Sequence, residues 1–147
     1  MKKMSAFMIA LTAVVLLALP VSADVNVENP SYYTRFQGQG KTMNVHNWGE
    51  YIANGSDESM DVVKEFEELT GISVNYTTFS TNEEVYARLR NGGSNYDLLI
   101  PSDYMIGRMI REDMLEKLDF QNIPNFQNIN QSFQNPEFDS TGEYSVP

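Results

Sequence analysis

A chain of 147 residues with 20 Asp and Glu against 10 Lys and Arg carries a formal charge of −10, and it contains no cysteine. A field of that sign disfavours nucleic acid and anionic lipid and draws cations toward any cleft that concentrates it. The missing thiols exclude disulfides, thiolate metal sites and lipidation on a cysteine, while the length fits one domain with enough apolar residues to bury a core.

Lys2 and Lys3 precede an uncharged apolar stretch over residues 6–19, and Val21-Ser22-Ala23 places small residues where signal peptidase reads. The stretch falls short of the roughly 20 residues that a spanning helix needs. Residues 1–23 therefore read as an export signal cleaved after Ala23, with an uncleaved anchor as the alternative. Loss of Lys2 and Lys3 takes the charge from −10 to −12. Residues 24–41 are polar, interrupted by Pro30, Gly38 and Gly40, and read as a leader that lies along the surface or stays mobile. The fold is expected to begin near Thr42.

From there two periodicities alternate. Residues 43–46 suit a short strand. Ser56 or Asp57 can cap a helix whose Val62, Val63, Phe66 and Leu69 share a face, and Gly71 can end it. Residues 72–79 are β-branched and aromatic, hence a second strand. Ser80 with Glu83, or Thr81 with Glu84, forms a capping-box pattern ahead of a helix that buries Val85 and Leu89 and stops at Gly92-Gly93. Residues 96–100 are apolar apart from Asp97, which predicts a strand covered on both faces and closed by Pro101. A third helix over about 103–113 carries Met105, Ile106, Met109 and Ile110 as its stripe, and Met114, Leu115 and Leu118 continue the apolar surface. Beyond it the chain is amide-rich and ends in a strand-like stretch over 143–147.

Strands separated by helical crossovers give an α/β fold with a mostly parallel sheet and flanking helices. Ligands of such sheets sit beyond the carboxyl ends of the strands. Two clusters fall there: Asn47-Trp48-Gly49-Glu50-Tyr51 after the first strand and Pro101-Ser102-Asp103-Tyr104 after the third. Each sets aromatic faces beside a carboxylate, which suits an organic cation. An aromatic face contributes roughly 0.5 to 2 kcal/mol to an ammonium group, and Glu50 or Asp103 can accept its N–H hydrogens. Plainer roles compete: Trp48 and Tyr51 as core anchors, Asp103 as a helix cap, Glu50 as a solvated loop acid. A helix amino terminus also favours anions, so the carboxylates must outweigh its dipole.

Other candidates weaken. His46, the only histidine, lies inside a strand and reads as a satisfied structural residue. Gly92-Gly93 lacks the Lys and Ser/Thr of a phosphate loop. The sequon-like Asn54-Gly55-Ser56, Asn75-Tyr76-Thr77 and Asn130-Gln131-Ser132 matter only in a glycosylating pathway. No catalytic set, metal site or cofactor is nominated.

At these residues the chain resembles the spermidine/putrescine-binding subunits of ABC importers. The likeness spans about residues 42–147. It rests on Asn47-Trp48-Gly49-Glu50-Tyr51, Glu68-Leu69-Thr70-Gly71-Ile72, Ser80-Thr81-Asn82-Glu83 with Tyr86-Ala87, the run from Tyr96-Asp97 to Asp103-Tyr104, and Tyr144-Ser145-Val146-Pro147. The resemblance implies a monomeric, extracytoplasmic or periplasmic receptor of two lobes, not an enzyme, that closes on a linear polyamine and delivers it to a membrane permease. Residues 42–147 would then be part of the first lobe, ending at the crossover to a second. Trp48 and Tyr51 would line the ligand channel, Ser102 and Tyr104 would contribute from the next loop, and Asp103 and Glu50 would add acid contacts. Gly49 stands where some relatives carry a hydroxyl residue. The alternatives are a receptor of the same fold for another solute and an exported carbohydrate-active enzyme using paired carboxylates.

Overall fold

Three strands, β1 (Thr42–Trp48), β2 (Ser73–Phe79) and β3 (Leu98–Leu99), form one parallel sheet in the order β2-β1-β3 in a computed structural model that describes residue 27 and residues 29–147. The signal peptide expected over 1–23 lies outside the described residues. Parallel neighbours need crossovers, and α2 (Val62–Thr70) and α3 (Asn82–Arg90) supply them, followed by α4 (Asp103–Arg111). The α/β architecture with a parallel sheet is therefore the one read from the alternating periodicities. Register sets Trp48 opposite Phe79 and His46 between Thr77 and Leu99.

The crossover helices differ in detail from expectation. Asp61 caps α2, accepting from Lys64 N at 3.0 Å, whereas Ser56 and Asp57 sit in the preceding loop. That loop turns back on itself, with Asp57 and Glu58 at φ of 53° and 61°, and is closed by Val62 N donating to Ala53 O at 3.1 Å. Several residues there can cap; the loop's closure selects the last of them. Gly71 ends the helix as expected, at φ 73° with its N–H donated to Glu67 O at 2.8 Å. A side chain at Gly71 would also place Cβ 2.6 Å from Gln37 Cα. The close approach arises because residues before β1 are docked: α1 (Pro30–Thr34) leads to Gln37, whose Nε2 donates to Leu69 O at 3.2 Å, and Tyr32 OH donates to Asn122 O at 2.9 Å.

For α3 the second capping pattern is the one used. Thr81 Oγ1 accepts from Glu84 N at 3.2 Å, while the Glu84 carboxylate pairs with Arg88 at 2.7 Å rather than reaching back. Phe79, Val85, Tyr86, Met105 and Met109 make the core between the sheet, α3 and α4, with Trp48, Leu89, Leu99, Met114 and Leu115 packed against it.

Two expectations are corrected. The third strand is only two residues long, extended by Asp97 N donating to Asn44 O and Ile100 N donating to His46 O. It is not covered on both faces: Leu98 is 47% exposed, because α2 packs on β2 and makes no contact with β3. Asp97 interrupts the apolar run for a reason, since its carboxylate accepts from Asn44 N and Nδ2 at the start of β1. The stretch 143–147 is not a strand either. It wraps Asp139, which is 1% exposed and accepts from Tyr144 N, Ser145 N and Ser145 Oγ, each at 2.9 Å, and from Thr141 Oγ1 and Glu143 N. Burial pushes the Asp139 carboxyl up, but these donors outweigh it and hold the group below its ordinary value.

Candidate functional site

The carboxyl edge of the sheet is formed by the ends of β1 at Trp48, β2 at Phe79 and β3 at Leu99. Because β1 and β3 are neighbours, the loops that follow them share one rim. On the β1 side, buried Asn47 turns its Oδ1 to accept from Trp48 N at 2.7 Å, fixing the strand end. Trp48 is half-buried, its ring 4.5 Å from that of Phe79 and 6.1 Å from that of Tyr51. The core-anchor role is thus partly real for Trp48. It does not hold for Tyr51, which is 66% exposed, and Gly49 and Glu50 are exposed beside it.

On the β3 side, Ser102 occupies the N-cap position of α4 but makes no side-chain cap. Asp103 is the first helical residue rather than the cap; its exposed carboxylate accepts from the adjacent Tyr104 N at 2.6 Å. Tyr104 is 54% exposed. Its hydroxyl accepts from Asn82 Nδ2 at 3.0 Å and donates to Glu83 Oε1 at 2.9 Å. Asn82 also donates to Ser102 Oγ and accepts from Ser102 N, both at 3.0 Å.

The six expected residues therefore form two groups on one rim: Trp48 with Tyr51 and Glu50, and Ser102 with Asp103 and Tyr104. No ring pair among the described residues joins Tyr104 to Trp48 or Tyr51. A cavity of about 450 Å³ is lined by Leu89, Arg90, Glu112 and Met114, and one of about 250 Å³ by residues including Gly49, Asp61 and Tyr76. Neither takes in the exposed phenols. Tyr51 and Tyr104 stand exposed along the edge, and Trp48 is half-buried beside Tyr51.

Asn82 and Glu83 went unnominated, although both lie in the capping-box motif. The signal was a polar residue at the first position of a helix whose next turn is buried. A short amide there either faces solvent or ties one helix start to another, and here it does the second. His46 needs a smaller correction. Thr77 Oγ1 donates to Val45 O at 3.1 Å, so it must accept from His46 Nδ1–H at 2.7 Å, which leaves buried Nε2 with a lone pair and no partner among the described residues. The residue is structural, stacked on Tyr96 at 4.3 Å, but only half satisfied. Burial lowers its pKa and keeps the ring neutral. Among the described residues no group of three or more His, Asp or Glu is placed to hold a metal ion.

No family model matches the chain. Over its whole length it is 34% identical to spermidine/putrescine-binding periplasmic proteins of Salmonella typhimurium and Escherichia coli, and it spans 37% of their length. A putrescine-binding periplasmic protein of Pseudomonas aeruginosa, SpuD, is 32% identical over 73% of the chain and 28% of that protein. Among solved structures, a spermidine/putrescine ABC transporter substrate-binding protein from Streptococcus pneumoniae matches with a TM-score of 0.67 at 39% identity, over 74% of this chain and 32% of the other. By sequence over its whole length, and by fold over 74% of it, the chain is similar to the spermidine/putrescine-binding proteins.

Proposed function

We propose that this chain provides one wall of a polyamine-binding cleft in the extracytoplasmic solute-binding subunit of an ABC importer. The observation that supports this best is the pairing of exposed phenols with carboxylates on neighbouring loops at the carboxyl edge of a parallel sheet. In this reading Trp48 and Tyr51 lie against the alkyl chain and one ammonium group of spermidine or putrescine, while Ser102, Tyr104 and the acids Glu50 and Asp103 accept N–H hydrogens. Residues 1–23 direct export to the periplasm or the outer face of the membrane. Residues 42–147 belong to the first of two lobes, and closure of the second over the rim buries the amine and forms the surface that a permease reads. The receptor acts as a monomer, needs no cofactor and no nucleic acid, and performs no bond chemistry.

Calorimetry on the 147-residue chain and on the complete open reading frame tests the proposal. The complete protein should bind spermidine or putrescine, and the short chain should bind weakly or not at all, since half a cleft cannot close. Tight binding by the short chain would refute the two-lobed reading. Stabilisation of the complete protein by an amino acid or a sugar, with none by polyamines, would assign the same fold to another solute.

A further inference from the structure

Resting on that reading, we propose that Glu83 is a further ligand-contacting carboxylate and that Asn82 is the positioning residue that creates its station. Asn82 is 4% exposed and spends its amide on two neighbouring residues: Oδ1 accepts from Ser102 N, and Nδ2 donates to Ser102 Oγ and to Tyr104 OH, all at 3.0 Å. The direction of these bonds decides what the rim presents. With its oxygen accepting from Asn82, the Tyr104 hydroxyl must send its own proton elsewhere, and it sends it to Glu83 Oε1 at 2.9 Å.

Ser102 is under the same constraint. Its oxygen accepts from Asn82, and although it stands at the N-cap of α4 it accepts no backbone N–H of that helix. A serine withdrawn from capping keeps its proton and its other lone pair for the rim. Glu83 is exposed, and its Oε2 makes no hydrogen bond to another described residue. One amide thus sets, side by side, a carboxylate oxygen, a hydroxyl lone pair and an aromatic ring. An alkylammonium group takes such a set: it donates to the two oxygens and lays its charge near the ring. An anion does not, because the carboxylate repels it.

The test is a double-mutant cycle on the complete protein, read by titration calorimetry with putrescine, with thermal melts to confirm folding. Glu83→Gln should weaken putrescine about tenfold, the scale of one charged hydrogen bond. In the Asn82→Ala background the same change should cost less than about twofold, because the carboxylate no longer has a fixed place; a role for Asn82 in stability alone would leave the tenfold effect intact. Should Asn82→Ala fail to fold, Tyr104→Phe cuts the same link while keeping the ring and should abolish the Glu83→Gln effect equally. A Glu83→Gln affinity within twofold of the parent, or additive losses in the cycle, overturns this inference while the polyamine reading stands. Absence of amine binding by the parent protein overturns both.

Discussion

Replacing Asp139 should unlock the carboxyl-terminal segment. Its carboxylate accepts from two side-chain hydroxyls and three backbone N–H groups, among them Tyr144 N and Ser145 N at 2.9 Å. A hydrogen bond to a charged group contributes about 1.5 to 3 kcal/mol, and a buried donor left unpaired costs about 1 to 3 kcal/mol. The donors share two oxygens and are not additive, and water can reach those of half-buried residues, so Asp139→Ala should cost about 3 to 4 kcal/mol. At about 3 °C per kcal/mol for a chain of this size, that lowers Tm by roughly 10 °C. Asp139→Asn keeps the shape and loses the charge, and should cost about half as much. The carboxyl is held below its ordinary value in the folded state, so the unfolded chain takes up this proton first on acidification. The contribution is complete above the unfolded pKa and disappears as pH falls through the folded one. In thermal melts the gap between parent and variants should narrow as the pH is lowered from 7 through the carboxylate range. An Ala variant that melts within 2 °C of the parent at pH 7, or a gap that does not narrow on acidification, would show that the donors are not held by this group.

His46 should produce a second acid-sensitive step at higher pH. Its folded pKa lies below 6.5, so the unfolded state protonates first and stability falls as pH drops from about 6.5 toward the lowered value; His46→Phe should flatten that window in urea titrations while costing about 1 kcal/mol for the lost bond to Thr77. Gly71→Ala should destabilise by about 2 kcal/mol or more from positive φ and the 2.6 Å approach to Gln37, and it should speed limited proteolysis within residues 30–41. Trp48→Ala in the complete protein should weaken polyamine binding about tenfold from the lost aromatic face, with a Tm loss because the ring also packs on Phe79. Full retention of affinity in that variant would remove the indole from the site.

Much of the fold was legible where one local cause dominated. Gly71 had a single use, a left-handed turn after an apolar stripe, and Thr81 with Glu84 gave a cap with its geometry implied. Reading failed where several residues could do one job or where the cause was remote. Ser56, Asp57 and Asp61 can all cap, and only loop closure through Ala53 chooses among them. Leu98 looks like a core residue in sequence, yet its exposure depends on where α2 lies, which no local pattern contains. At the rim, the placement of Trp48 and Tyr104 at the ends of neighbouring strands was legible from the strand pattern. Asn82 was not, because its meaning depends on a partner 20 residues away.

The strand order carries a kinetic consequence. β1 is translated first yet sits in the middle of the sheet; its partners on β2 lie 31 residues downstream, and those near β3 lie 53 residues downstream. Until both flanks exist, its main-chain groups must stay hydrated, so the ladder cannot zip from one end as a hairpin does. Assembly waits on two successive long-range encounters, which slows acquisition of the sheet relative to a hairpin ladder and leaves the nascent segment open for longer.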